Sequence, residues 1–261
     1  MCAMPPTPAE LPSFTQPPVV EVAVGVHFLQ LPGLTALPLV DLADTWKSDY
    51  PIRQEQPPLP PVFAAPGAMG FQVGSPPVRL WLTSSDDSVL LQLQRDRLLL
   101  NWRKLTEASD YPRYQRLRDE FTGCWEHLAA EVGMHEEYGV LQPAMAEVTF
   151  LNHIPAPSPA DLGEILSALQ PGWAPSQHLS TSLQVEEQIV DAIGNVVGQS
   201  TIGVAYRNGG LQLEVTSKVS LDGFPSDTSA ILGALDVAHA AGVIAFDAAT
   251  TEQAHKVWGK Q

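Results

Sequence analysis

Cysteine is nearly missing from this chain: Cys2 and Cys124 are the only two among 261 residues. Two thiols so far apart argue against a disulfide framework, and both read as free cysteines of a reducing compartment. Basic residues are also scarce, with 14 Lys and Arg against 29 Asp and Glu for a formal net charge of −15. An excess of that size repels phosphate backbones, which sets nucleic acid aside as a partner. No unbroken run of roughly 18 apolar residues occurs, so no membrane-spanning helix and no membrane partner are expected. The opening MCAMPPTPAELPSF has neither a basic n-region nor an apolar h-region, which points to a cytoplasmic location.

Catalytic signatures are lacking too. There is no GxSxG elbow, no GxxxxGK[ST] phosphate loop and no GxGxxG fingerprint, and GNVVG at 194–198 joins two strands without a helix after it. His135-Glu136-Glu137 lacks the second His of an HExxH zinc site and reads as a solvated loop. Acyl transfer, nucleotide hydrolysis, dinucleotide redox chemistry and zinc proteolysis lose their usual warrant. No cofactor is expected.

What the chain does have is a composition, 44% hydrophobic and 16% charged, that suits a folded core without metal or disulfide staples. Residues 1–18 carry six prolines and read as an extended, loosely held arm. In VVEVAVGVHFL, Val20, Val22, Val24, Val26 and Phe28 alternate with Glu21, Ala23, Gly25 and His27, the period of a strand with one buried face. A helix follows Thr35 through Leu39, Leu42, Ala43 and Trp46, and the proline-rich 51–66 reads as a loop or a poorly regular edge segment. Arg79–Thr83, Ser88–Gln94 and Arg97–Trp102 predict a meander. Tyr114, Leu117, Phe121, Cys124, Trp125, Leu128 and Val132 then step by three and four along a long amphipathic helix, with Cys124 a small core residue on its stripe.

The second half repeats this order. Strands are expected at Ala144–Ile154, Ser182–Asp191, Ser200–Asn208 and Leu211–Leu221, with Asn208-Gly209 as a hairpin turn and a short helix at Asp161–Leu169. A long helix begins near Ser226 or Asp227, carrying Ile231, Leu235, Ala238, His239, Gly242 and Phe246 on one face. Thr250 and Gln253 form a capping box for a last helix ending near Trp258-Gly259. EVAVGVH at 21–27 and EVTFLNH at 147–153 share Glu-Val and a His six positions after the Glu, which supports an internal duplication. The expectation is one α+β domain with an arm at 1–18 and halves at 19–138 and 139–261. The order of elements resembles the saddle of the TATA-binding-protein-like fold, a curved antiparallel sheet with helices on one face, an analogy that carries no implication about DNA.

Strand parity would place Glu21 and His27 on the concave face with Glu147 and His153, and Asn152 is adjacent to the last of these. Two Glu and two His near a pseudo-twofold axis suit a divalent metal or an acid and base pair, although their spacing matches no recognised metal motif and a merely wet sheet face accounts for them as well. Asp236 and His239 lie three apart on the last long helix, as a satisfied core histidine or as a pair that orients a third group.

PPVVEVAVGVHF, AEVTFLNHI and LDVAHAAGVIAFDAATTEQAHKVWG together resemble a sporadically distributed bacterial protein family of unassigned function, over Pro17 to Gly259. The shared markers are Glu21 after a Pro-[IV]-[IV] run, Asn152, Asp236, His239, Phe246, Thr251 and Trp258-Gly259. Residues 149–151 depart from the basic and aromatic residues usual before Asn152, so roles tied to those are not carried over. Such a distribution implies an accessory to a defence or toxin and antitoxin module. The expected function is a non-catalytic interaction module with a protein partner or a second copy. The alternative is a small-molecule or metal binder, or an enzyme, that uses the concave face.

Overall fold

The computed structural model describes residues 11–60, 78–156, 158, 161–170, 180–207, 210–221 and 227–261. The chain forms an α+β fold with a single nine-stranded sheet, in chain order β1 (Val19–Phe28), β2 (Ile52–Gln56), β3 (Arg79–Thr83), β4 (Val89–Gln94), β5 (Arg97–Arg103), β6 (Pro143–Pro155), β7 (Ser180–Val190), β8 (Val196–Arg207) and β9 (Gly210–Ser220). Across the sheet they run β2-β3-β4-β5-β1-β6-β9-β8-β7. The helices are α1 (Ala36–Asp44), α2 (Tyr114–Met134), α3 (Leu162–Ile165), α4 (Thr228–Ala249) and α5 (Glu252–Trp258). Two compact units result: the first holds Ala23–Ala146 and Leu221–Gly233, the second Met1–Val22, Glu147–Ser220 and Ala234–Gln261.

In the first unit the antiparallel register aligns Leu80 with Leu93, Leu82 with Leu91 and Leu91 with Leu100, so the leucines of three strands share one face. Arg53 of β2, paired with Leu82, reaches Asp44 of α1 at 2.7 Å, which sets α1 over that face. Leu117, Phe121, Cys124, Trp125, Leu128 and Val132 of α2 are buried as the helical period requires, and Trp125 packs 6.1 Å from Phe28. The proline-rich stretch is regular over Ile52–Gln56, an edge strand with its first four residues exposed; residues 61–77 lie outside the described residues.

The opposite face of the first unit is not open. Gln92 accepts from Arg79 at 3.0 Å and Trp81 at 3.1 Å and donates to Asn101 at 2.8 Å. Gln94 and Arg97 both bond Asp96, and the backbone of 59–60 crosses over them, Leu59 N donating to Gln94 and Arg97 donating to Pro60 O. A buried polar network bonded in this way gives the sheet a second interior. The odd residues of β1 are buried as well: Ala23, Gly25 and His27 are all nearly sealed from solvent, Gly25 against Leu98 and Leu99 of β5. The strand expected to have one wet face is buried on both sides from Val22 to Phe28.

The second unit builds its core between β6, β9, β8 and the helices, with Ile202 opposite Val215, Val204 opposite Leu213 and Tyr206 opposite Leu211. The Asn208-Gly209 turn lies outside the described residues. Residues 11–18 are extended but held, contrary to the expectation of a loose arm. Thr15 N and Gln16 N donate to Gly259 O and Trp258 O, Gln261 N donates to Ser13 O, and Phe14 is buried against Phe246 with ring centroids 5.4 Å apart. The last helix is capped by Thr251, whose hydroxyl accepts from Ala254 N at 3.2 Å, and not by Thr250, which is turned inward.

Membrane-spanning capacity needs a correction as well. α4 has 22 residues and a mean hydropathy of 1.7 over an 18-residue window, so by length and composition it is apolar enough to cross a bilayer, with 44% of that window buried. Asp236 and His239 break the apolar run without pulling the average below the threshold. Its inner side rests on the sheet, where Gly242 lies so close to Phe150 that a Cβ would sit 3.0 Å from the ring.

Gly25 tests the doubly buried β1. A Cβ there would meet Leu99 Cδ2 and lie 2.5 Å from Leu98 O, whereas nothing lies within 4 Å of one at Gly133 in α2. Gly25→Val is expected to cost about 3 kcal/mol or more, and Gly133→Ala to leave stability unchanged or raise it by up to about 1 kcal/mol. Urea denaturation midpoints of the two variants measure both.

Candidate functional site

On β6, Glu147, Thr149, Leu151 and His153 alternate with buried Val148, Phe150, Asn152 and Ile154. Glu147 is occupied by Lys218 at 3.2 Å and by the Thr149 hydroxyl at 3.2 Å, and Thr149 meets Thr216 across the strands at 2.9 Å. Glu21 is half-buried in the same unit, and the His153 side chain is exposed. Asn152 falls on the other parity, buried, its Nδ2 donating to Leu213 O at 3.0 Å, which is the bond of a core residue fixing a neighbouring strand. His27 belongs to the first unit and is 2% exposed. Among the described residues no three His, Cys, Asp or Glu side chains gather closely enough to hold a metal.

The Asp236 and His239 pair sits on α4, with the imidazole 6.0 Å from the Phe150 ring. Burial holds the His239 pKa down to about 4, against the opposing pull of Asp236, so the ring is neutral near pH 7.

A third group, Thr250, His255, Asp247 and Lys260, has the residue types of a nucleophile with its base and was not singled out from the sequence, because the four are brought together only by the turn between α4 and α5. The Thr250 hydroxyl donates to Phe246 O at 2.7 Å, so toward His255 Nε2 at 2.8 Å it must accept. Lys260 Nζ approaches Nδ1 at 3.4 Å and ion-pairs with Asp247 at 2.5 Å. The imidazole therefore gives a proton to the hydroxyl where a general base would take one. The arrangement is a clasp that ties α5 and Lys260 to the end of α4.

Side chains of different chemistry meet in a cleft of about 540 Å3 between α1 with its following turn and α2. Its floor is Trp46, Tyr50 and Cys124, all buried, and its rim includes Asp49, Glu120 and His127. Glu120, Gly123, Cys124 and His127 are spaced to fall on one helical face, the only part of the cleft legible in the sequence. Tyr50 comes from the turn after α1, and its hydroxyl lies 3.0 Å from Glu120 Oε1 and 3.6 Å from Cys124 Sγ. Burial, then the neighbouring thiol and carboxylate, push the Tyr50 pKa far up. Burial raises the Cys124 thiol to about 11, with the Tyr50 hydrogen bond opposing and Glu120 and Asp49 adding to the rise. A thiol so placed is no nucleophile. The Thr45 hydroxyl donates to Leu42 O at 2.7 Å and so accepts from His127 Nε2 at 2.7 Å, which fixes His127 as the Nε2–H tautomer beside Trp46.

No family model matches the chain, and no curated protein matches it.

With an unfolded value near 6.5 and a folded value near 4, His239 binds more protons in the unfolded chain between those limits, so it subtracts stability as pH falls through that window. Between pH 7 and 4.5 the parent protein is expected to lose roughly 2 kcal/mol more than His239→Leu, measured by denaturant titration at each pH. In a Cys2→Ser variant, the remaining thiol is expected to react with a maleimide at pH 8 only after unfolding, since about one part in a thousand is thiolate in the fold.

Proposed function

We propose that this chain is a non-catalytic interaction module that takes up an extended, basic segment of a partner protein as an added strand beside β7. The observation that carries the reading is the state of that strand. β7 has 11 residues, ends the sheet, and is exposed at every position except Thr181 and Ile189. Natural edges are commonly shortened, covered or interrupted by proline or lysine, and β7 has no proline and no lysine.

Its side chains define what fits. Leu183 and Val185 pair with Val204 and Ile202, and thus continue the core face. Val204 and Ile202 are buried to 5% and 6% exposure, whereas Leu183 and Val185 remain 37% and 38% exposed. Leu183 and Val185 thus form an apolar strip on the last strand of the sheet that an added strand would seal. Glu186 and Glu187 are exposed on β7 and take part in no ion pair among the described residues. On a chain of net charge −15 they favour a basic partner and disfavour a second copy, which would bring the same two carboxylates into apposition.

The duplicated saddle expected from the sequence belongs to this proposal. Reading outward from the two central strands, the order β1-β5-β4-β3 matches β6-β9-β8-β7, each a lone strand followed by a returning meander, which supports descent from a doubled unit.

An 11-residue peptide alternating Val and Lys provides the probe, with its Val and Glu counterpart and a blocked-order isomer as controls. The alternating basic peptide is expected to bind with a Kd on the order of tens of micromolar and to slow amide exchange within residues 183–189. Glu186→Lys combined with Glu187→Lys should transfer the preference to the acidic peptide. Absence of protection along β7, or an unchanged preference after charge reversal, overturns the proposal.

A further inference from the structure

We propose that the cleft between α1 and α2 is a binding site for a small organic amine, taken as its ammonium ion, with Glu120 and Asp49 as counter-ions. Among the described residues the cleft is lined by two carboxylates and by no Lys or Arg, so an anionic ligand would meet like charge with no basic side chain to offset it. The volume, about 540 Å3, is that of a metabolite site. Its floor of Trp46, Tyr50 and Cys124 offers apolar and aromatic surface for the body of such a ligand.

The counter-ions are prepared in different ways. Tyr50, itself 5% exposed, lies 3.0 Å from Glu120 Oε1 and holds that carboxylate in place, leaving its second oxygen to accept. Asp49 is exposed at the rim. Neither has an ion-pair partner among the described residues, although Asp44, a turn earlier, is matched by Arg53 at 2.7 Å. Both carboxylates border the same cleft as Cys124. His127, fixed with its proton on Nε2, retains Nδ1 as a third acceptor. An ammonium group has three donors and no acceptor, and it needs only one or two of these acceptors at a time, with solvent taking its remaining donors at the open rim. A metal ion would find too few ligands, since no three ligating side chains converge there among the described residues.

The same chemistry is available from a free amine or from a lysine side chain of a partner protein. Phenethylamine serves as probe for the first and Nα-acetyl-lysine methylamide for the second, with 2-phenylethanol as the neutral isostere, each followed by Trp fluorescence and His127 imidazole resonances. Phenethylamine is expected to bind at least about tenfold more tightly than 2-phenylethanol, and Glu120→Gln and Asp49→Asn each to weaken it by about tenfold. Gln at 120 can still accept from Tyr50, so melting temperatures close to the parent's confirm an intact fold. Binding of phenethylamine alone assigns the site to free amines, and binding of the lysine derivative extends it to partner side chains. No response to either amine up to about 10 mM, or equal binding of the alcohol, overturns the proposal.

Discussion

The pairing register of the sheet is the constraint from which the rest follows. Because neighbouring antiparallel residues share a face, Leu82, Leu91 and Leu100 form a continuous apolar surface, as do Ile202 with Val215 and Val204 with Leu213. Each surface must be removed from water, and the long helices do this. Shifting any one of these strands by a residue would turn its apolar side away from the helices and its other side toward them, so helix positions, core and surface chemistry are fixed together.

The two units handle the remaining face differently, and their surface chemistry follows from that. In the first, Gln92, Gln94, Asp96, Arg97 and Asn101 bond to one another and to the backbone of 59–60, converting a polar face into interior. Its accessible chemistry therefore lies on the helical side, in the cleft of Tyr50, Glu120 and Cys124. In the second, Glu147, Thr149, Thr216 and Lys218 form a polar surface in contact with solvent, and β7 is exposed along most of its length.

Charge divides along the same lines. Fourteen basic side chains cannot match 29 acidic ones one for one, and several of the ion pairs that do form serve the fold: Asp96 with Arg97, Glu147 with Lys218, Asp247 with Lys260. The unmatched acids Glu186, Glu187, Asp49 and Glu120 coincide with exposed apolar edge or with the cleft. Unmatched charge beside accessible apolar surface is where a cationic group gains both a counter-ion and desolvated contact.

What the sequence by itself determined was local and periodic. The alternation of β1, the three-and-four stepping of α2, the breaks at Asp86-Asp87 and Arg95-Asp96, and the parity of Glu147 against Phe150 are all written within short windows, because side-chain direction repeats with the backbone period. Only the tertiary structure decided which of those faces meets water. Nothing near His27 announces that the odd side of β1 is buried, with Gly25 packed against Leu98 and Leu99 of β5, and nothing near Tyr50 announces Cys124, 74 positions away. Thr250 likewise resembles a helix cap until the turn into α5 carries it beside His255. Burial and hydrogen-bond partnership depend on contacts between distant segments, and those are set by the packing of whole elements, whereas periodicity is a property of each segment alone.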